Sequence, residues 1–277
     1  MSGAGWIGLT GDHHVHSTFS DDAESTLAEN IAAARAVGLT ELRLVDHVRA
    51  STTWVPEFLA AVAALVDGDR MAGASTQLRG RHAHPELLRI GTGVEVKILD
   101  ATGRLDLPAD LIIGPGGVDR VLIADHQYPG PDGPWSPRRV LEERHAGLSA
   151  ATVVDTLIGA SIKAMRSIEY AQLAHPFSLL PKVGLREDDL HDDHLTALAA
   201  AAAATGTLVE VNEKWACPGP RVIQALKAAG VTLVASTDSH HERDVGKYRR
   251  VADLTAALAA ASLTGDGEPA RISGRGP

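Results

Sequence analysis

Cysteine is nearly missing from this chain: Cys217 is the only one in 277 residues. An internal disulfide is therefore excluded, and no partner thiolate exists for a zinc finger. Cys217 reads as a small, semi-buried apolar residue. Aromatic residues make up 4%, too few for the stacking platforms that hold single-stranded nucleic acid. Positive charge is outnumbered, with a formal net charge of −9, so nucleic acid is not expected to be steered to the surface as a whole. Outside the alanine-rich stretch around Ala199–Ala204, no apolar run reaches about 18 residues without a charge, and no membrane span is implied. The N-terminus has neither the charged segment nor the long apolar segment of a signal peptide. The expectation is a soluble, cytoplasmic protein whose partners include neither nucleic acid nor membrane. Nucleophile-elbow and P-loop patterns are also missing: Gly114-Pro115-Gly116-Gly117 lacks a following Lys-Ser/Thr and reads as a turn.

What is present is a strand–helix alternation along the whole length. Hydrophobic residues make up 44%, enough for the core of one large α/β domain. Short apolar, β-branched runs span Trp6–His16, Glu41–His47, Leu88–Val96, Val121–His126, Tyr170–His175, Thr207–Asn212 and Thr232–Asp238. Helical spacing marks Leu27–Val37, Pro56–Val66, Thr152–Met165, Asp189–Thr205 and Pro220–Ala229, the last two closed by Gly206 and Gly230. Trp54, ahead of Pro56, looks exposed. Residues 97–120 show no crossover helix. The alternation predicts a parallel sheet in a single domain over 1–264, with a polar, mobile tail over 265–277. It does not separate a closed barrel from an open sheet.

The chemistry gathers at the ends of those runs. His14 and His16 are two residues apart on an extended backbone, so both imidazoles point to one side and can hold one cation. Asp21-Asp22 follows closely. Asp46-His47, Glu95, His126, His175 and Asp238-Ser239-His240 end later runs. In a parallel α/β barrel every strand C-terminus faces one rim, where such residues converge. Histidine with carboxylate suits zinc, manganese or iron. A lone histidine is more often structural, and His82, His84, His145, His191 and His194 are read that way. The same decoration on so many strand ends is not.

Taken together, His14-Val15-His16-Ser17 with Ser20-Asp21, Val45-Asp46-His47, Gly93-Val94-Glu95-Val96, the His126 segment, Leu173-Ala174-His175-Pro176 and Ser236-Thr237-Asp238-Ser239-His240 resemble the polymerase-and-histidinol-phosphatase (PHP) family. The resemblance implies a distorted (β/α)7 barrel with up to three divalent metals. One site would take His14, His16, Glu95 and Asp238. A second would take Glu95, His126 and His175, with Glu95 bridging. A third would take Asp21, His47 and His240. Some family members carry a histidine after the first motif; this chain has Asp21 and Asp22, and the Ser-Asp spacing favours Asp21. His13 and His241 are expected behind the ligands or exposed.

The implied reaction is hydrolysis of a phosphomonoester by a metal-activated hydroxide, with Asp238, Glu95 and His240 in catalytic roles. The implied substrate is a small phosphorylated metabolite of the histidinol-phosphate kind. A basic residue would clamp the phosphate, drawn from Arg49, Lys182 and Arg243, with Lys97 and Lys214 as further candidates. The competing readings are a phosphodiesterase or nuclease like the C-terminal domain of bacterial family X polymerases, an amidohydrolase-type C–N hydrolase, and a non-catalytic module that holds metal. Oligomeric state is left open.

Overall fold

The computed structural model describes residues 6–77 and 88–265; the tail beyond them, His82 and His84 lie outside this range. The strands in chain order are β1 (Gly11–Val15), β2 (Glu41–His47), β3 (Arg89–Lys97), β4 (Arg120–Ala124), β5 (Tyr128–Gly130), β6 (Gly133–Trp135), β7 (Ala171–Leu173), β8 (Leu208–Asn212) and β9 (Leu233–Ser236). The helices are α1 (Leu27–Ala36), α2 (Val55–Gln77), α3 (Pro137–His145), α4 (Ala150–Ser167), α5 (Asp192–Thr205), α6 (Pro220–Ala228) and α7 (Arg250–Gly265). Seven strands pair in the order β1-β2-β3-β4-β7-β8-β9, and every pairing among them is parallel. The sheet curls into a nearly closed (β/α)7 barrel, as the resemblance implied.

Strand parity decides what the barrel interior holds. On β4, Leu122 and Ala124 join Val45 and Ala174 in a small buried apolar cluster inside the barrel. Val121 packs with Val94 and Val96 on the outer layer. A side chain at Gly93 would stand 3.0 Å from Leu122 and 3.2 Å from Val45, so glycine leaves the room that plug needs. β1 breaks strict alternation, since its register against β2 shifts between Asp12 and Val15. His13 is consequently half-buried, its Nδ1 3.3 Å from Arg43 Nη1, and stands apart from the other histidines.

Closure depends on Asp12. β1 and β9 meet through the Val15–Ser239 bridge, and His16 N–H donates to Ser239 O at 2.8 Å. The buried Asp12 carboxylate accepts from Thr237 N at 3.0 Å, Thr237 Oγ1 at 2.6 Å and Gly246 N at 2.9 Å. One short side chain thus staples the first strand to the chain beyond the last.

The helices follow local signals. Thr26 caps α1 in a capping box with Glu29. Gly206 ends α5 in the left-handed region at φ 65°. The β3–β4 connection is irregular, as expected, and Gly117 is required there because a side chain would meet Ile112 O at 1.9 Å. Three elements were not expected: the β5–β6 hairpin, α3 and α7. Trp54 is half-buried rather than exposed, with ring centroids 5.3 Å from Phe19 and 5.9 Å from Phe58. Cys217 is buried, and burial holds its thiol pKa well above the usual range. Among the described residues no helix is long and apolar enough to cross a membrane.

Asp12→Ala leaves three donors at the seam without their acceptor. The expected loss is about 3 kcal/mol of stability, measured as a lower urea midpoint. A loss below about 1 kcal/mol would show that the staple is dispensable.

Candidate metal centre

The C-terminal rim brings together side chains from six strand ends. His47 and Glu95 stand on one face of paired strands, in register with each other. His126 and His175 lie two residues beyond β4 and β7, and Asp238 two beyond β9. His175 and Asp238 occupy the left-handed region at φ 27° and 52°, where side chains other than glycine are rarely found. Such strain persists only where surrounding bonds over-determine it. At His175 one such bond is its N–H, which donates to Glu210 at 3.1 Å.

Glu95 is the hub. Its Oε2 lies 3.3 Å from His14 Nε2, 3.3 Å from His16 Nε2 and 3.0 Å from His47 Nδ1. Its Oε1 lies 2.9 Å from His175 Nε2 and 3.0 Å from His126 Nε2. Asp238 Oδ1 is 3.2 Å from His16 Nε2, and the Nε2 atoms of His14 and His16 are 2.9 Å apart. Two ligand atoms on one divalent cation, each at roughly 2.1 Å and separated by about 90–110°, stand about 3.0–3.4 Å apart. The observed separations are of that size. Glu95 Oε2 is buried and has no hydrogen-bond partner, as expected of an atom whose partner is a cation. The donors form overlapping sets that fit a metal: His14, His16 and Asp238; His14, Glu95 and His175; His47, Glu95 and His126; His16, His47 and His240. A divalent cation suits these residues.

The far nitrogens are anchored. His14 Nδ1 is 2.9 Å from Glu210 Oε1. His175 Nδ1 is 3.1 Å from Ser178 Oγ, which donates to Asp125 at 2.7 Å. His16 Nδ1 is 3.4 Å from Ser20 Oγ, which donates to Asp46 at 2.7 Å. A proton on each Nδ1 meets an acceptor and turns the Nε2 lone pair to the cluster. Glu210 is itself held by Gln172 Nε2 at 2.6 Å and Ser236 Oγ at 2.9 Å. Sequence reasoning missed Glu210, although a lone carboxylate inside Leu208–Asn212 was the signal for it.

The third group differs from expectation. Asp22, not Asp21, places its carboxylate 3.5 Å from His47 Nε2 and 3.3 Å from His240 Nε2. Asp21 lines the same cavity wall. Partial burial opposes ionisation of Asp22, but His47 and His240 outweigh it and lower its pKa. His47 also faces Glu95 through Nδ1, so it stands between two groups instead of belonging to one.

A cavity of about 700 Å³ opens over the cluster. Arg49, Lys97 and Lys214 line it, with Phe19, Trp54 and Trp215. Lys182 and Arg243 do not. The Lys182 ammonium sits 3.8 Å from the Trp215 ring centroid, and Arg243 pairs with Asp244 at 3.8 Å in an exposed turn. Lys214 Nζ is 3.6 Å from Asp238 Oδ2 and 3.2 Å from His240 Nδ1. Trp215 Nε1–H donates to Asp238 Oδ2 at 2.6 Å, a contact that no motif announced.

Burial alone would lower the pKa of His16, but the adjoining Asp238 and Glu95 carboxylates raise it to about 9. At His175, bonds to Asp125 and Glu95 overcome burial and raise it to about 10. Both imidazoles therefore hold protons at neutral pH when no cation is bound. Zinc uptake is expected to release protons, and apparent affinity to rise with pH up to about 10. Calorimetry in buffers of different ionisation enthalpy measures this. In Glu95→Gln, bound metal is expected to fall by at least one ion per chain; unchanged content would remove Glu95 from the hub.

No family model matches the sequence, and no curated protein matches it. Solved structures do. A histidinol phosphate phosphatase from Lactococcus lactis subsp. lactis Il1403, solved with zinc, L-histidinol and phosphate, superposes with a TM-score of 0.57 and 16% identity, covering 94% of this chain and 94% of that one. A candidate histidinol phosphatase from Listeria monocytogenes gives a TM-score of 0.57 and 14% identity, over 86% of this chain and 97% of that one. The chain has the fold of these phosphatases.

Proposed function

We propose that the chain is a PHP-family, metal-dependent phosphomonoesterase acting on a small metabolite, with histidinol phosphate the first substrate to test. The observation that carries this reading is the division of Glu95, one oxygen against His14, His16 and His47 and the other against His126 and His175. A carboxylate shared in this way serves to hold two cations close, as two-metal hydrolysis requires. The zinc, L-histidinol and phosphate in the Lactococcus structure support the substrate class.

His14, His16, Asp238 and Glu95 would hold one ion, and His126, His175 and Glu95 a second. His47, His240 and Asp22 would hold a third. Zinc, manganese and iron all suit this donor set. Bound there, divalent cations supply Lewis-acid polarisation of the phosphoester and a water acidified to near-neutral pKa.

The protein's own groups do the rest. Lys214 and Arg49 offer charge to phosphate oxygens from the cavity wall. Phe19 and Trp54 bound the side where the alcohol portion would lie. Both oxygens of Asp238 are engaged, Oδ1 with His16 and Oδ2 with Trp215, so its part is to position. His240 borders the cavity, and burial and the nearby His16 charge both lower its pKa. Its Nε2 faces Asp22 at 3.3 Å, so its part would be to hold the third ion at the cavity edge. An amidohydrolase reading lacks support, since the hub is Glu95 and not a modified lysine. The net charge of −9 and the acidic Asp21–Asp22 rim weigh against nucleic acid.

The test is a panel of histidinol phosphate, sugar phosphates, nucleotides and short single-stranded DNA with zinc or manganese supplied. Hydrolysis of the monoesters supports the proposal; activity on DNA alone overturns it. In His240→Ala, bound metal is expected to fall by about one ion per chain and kcat to fall with it. Lys214→Ala is expected to raise KM about tenfold or more.

A further inference from the structure

The barrel has a second mouth. A cavity of about 590 Å³ opens at the N-terminal ends of the strands, away from the metal centre, and is lined by Arg43, Arg89, Arg120, His13, Asp119 and Tyr170 among others. Arg43 is two residues before Val45 and four before His47, so a single strand face runs from this cavity through the apolar plug to the metal rim.

The charge here is not balanced. Glu41 pairs with Arg89. Asp119 is occupied as an acceptor from Thr92 N at 2.7 Å and Thr92 Oγ1 at 3.2 Å. Arg43 and Arg120 form no ion pair among the described residues. Arg43 donates through Nη1 to Gln172, while its Nε is buried and has no hydrogen-bond partner. Burial and the neighbouring charge of Arg120 lower the Arg43 pKa to about 10, so the guanidinium stays charged at neutral pH. Among the described residues, three guanidinium groups thus share one cavity with two carboxylates, in a chain of net charge −9. An uncompensated buried cation is costly, and the ligand that relieves it is an anion.

The geometry also leaves room. A Cβ at Gly91 would stand 3.3 Å from Asp119 Oδ2 and 3.9 Å from Arg43 Nε, so glycine leaves space beside both. Tyr170 is 43% exposed on the wall and offers an aromatic face. Guanidinium groups match tetrahedral oxyanions through paired N–H donors. We propose that the N-terminal mouth of the barrel is a second ligand site, in which Arg43, Arg89 and Arg120 bind the phosphate group of a small metabolite or free inorganic phosphate. The site is independent of what the metal centre hydrolyses. It is nonetheless joined to it, because Gln172 accepts from Arg43 and donates to Glu210, which anchors His14.

The experiment is calorimetric titration of the zinc-loaded protein with inorganic phosphate. Binding at this mouth is expected to weaken at least tenfold in Arg120→Ala and in Arg89→Ala, and to persist in His47→Ala, which damages the opposite mouth. Arg89 is exposed, so its variant carries the test if Arg120→Ala does not fold. Phenylphosphonate in parallel separates the two sources: tighter binding than phosphate identifies an organic phosphate, and equal or weaker binding identifies the free anion. Absence of binding, or binding lost in His47→Ala and unchanged in both arginine variants, would overturn the proposal. Failure of the phosphatase panel leaves this result standing, since it does not depend on turnover.

Discussion

Glu95 carries two buried oxygens into a ring of imidazole nitrogens, and the rest of the site is arranged around it. Glu95, Asp238 and Glu210 are each no more than 4% exposed. Buried carboxylates of this density cannot stay ionised without positive charge beside them. The histidines supply part of it when protonated, which is why His16 and His175 are held at about 9 and about 10. A proton and a metal ion are alternative counter-charges at the same lone pairs. What favours the metal is the orphaned Oε2 of Glu95. Protonated imidazoles aligned to serve that oxygen would have given it hydrogen bonds, whereas a shared cation needs only that the donors converge.

Convergence of this kind rests on the barrel. Strand parity sends Arg43, Val45 and His47 along one inner face, and places Glu95 on the neighbouring strand in register with His47. Two further residues must leave regular geometry to reach the centre, and His175 and Asp238 do so at positive φ. The strain at His175 is borne by Glu210, which accepts its backbone N–H and His14 Nδ1 on different oxygens. At Asp238 it is borne by Trp215 on one carboxylate oxygen and by the β1–β9 seam that Asp12 closes. Fold closure and site geometry therefore share residues, so a defect at the seam reaches the metal rim.

The parts of this that were legible in the sequence share one cause. Residues that end a strand have their position set by it, so His14, His16, His47, Glu95, His126, His175, Asp238 and His240 could all be placed at one rim from motifs. Asp21 against Asp22 was not decidable, because both sit in a loop whose turn, and not a strand period, selects the one that faces in. Arg49 could be placed near the rim by its strand end, while Lys182 and Arg243 share that property yet do not line the cavity, Lys182 stacking on Trp215 and Arg243 pairing with Asp244. Glu210, Asp125 and Trp215 act through other residues, and such roles leave little trace in a single sequence. The helix α7 escaped notice because alanines blur the contrast between its buried Val251 and Leu258 and its outer face.

The two ends of the barrel carry opposite charge, and that polarity follows from the same economy of burial. At the C-terminal rim carboxylates outnumber fixed cations, and the deficit is met by ions that imidazoles can help to hold. At the N-terminal mouth guanidinium groups exceed free carboxylates among the described residues. Between them, Gln172 turns its carbonyl oxygen to Arg43 and its amide nitrogen to Glu210. An amide can accept from a cation and donate to an anion across a few ångströms without carrying charge itself. A charged residue at 172 would neutralise one end and repel the other. Glutamine keeps both ends poised, each needing its own counter-ion from solution.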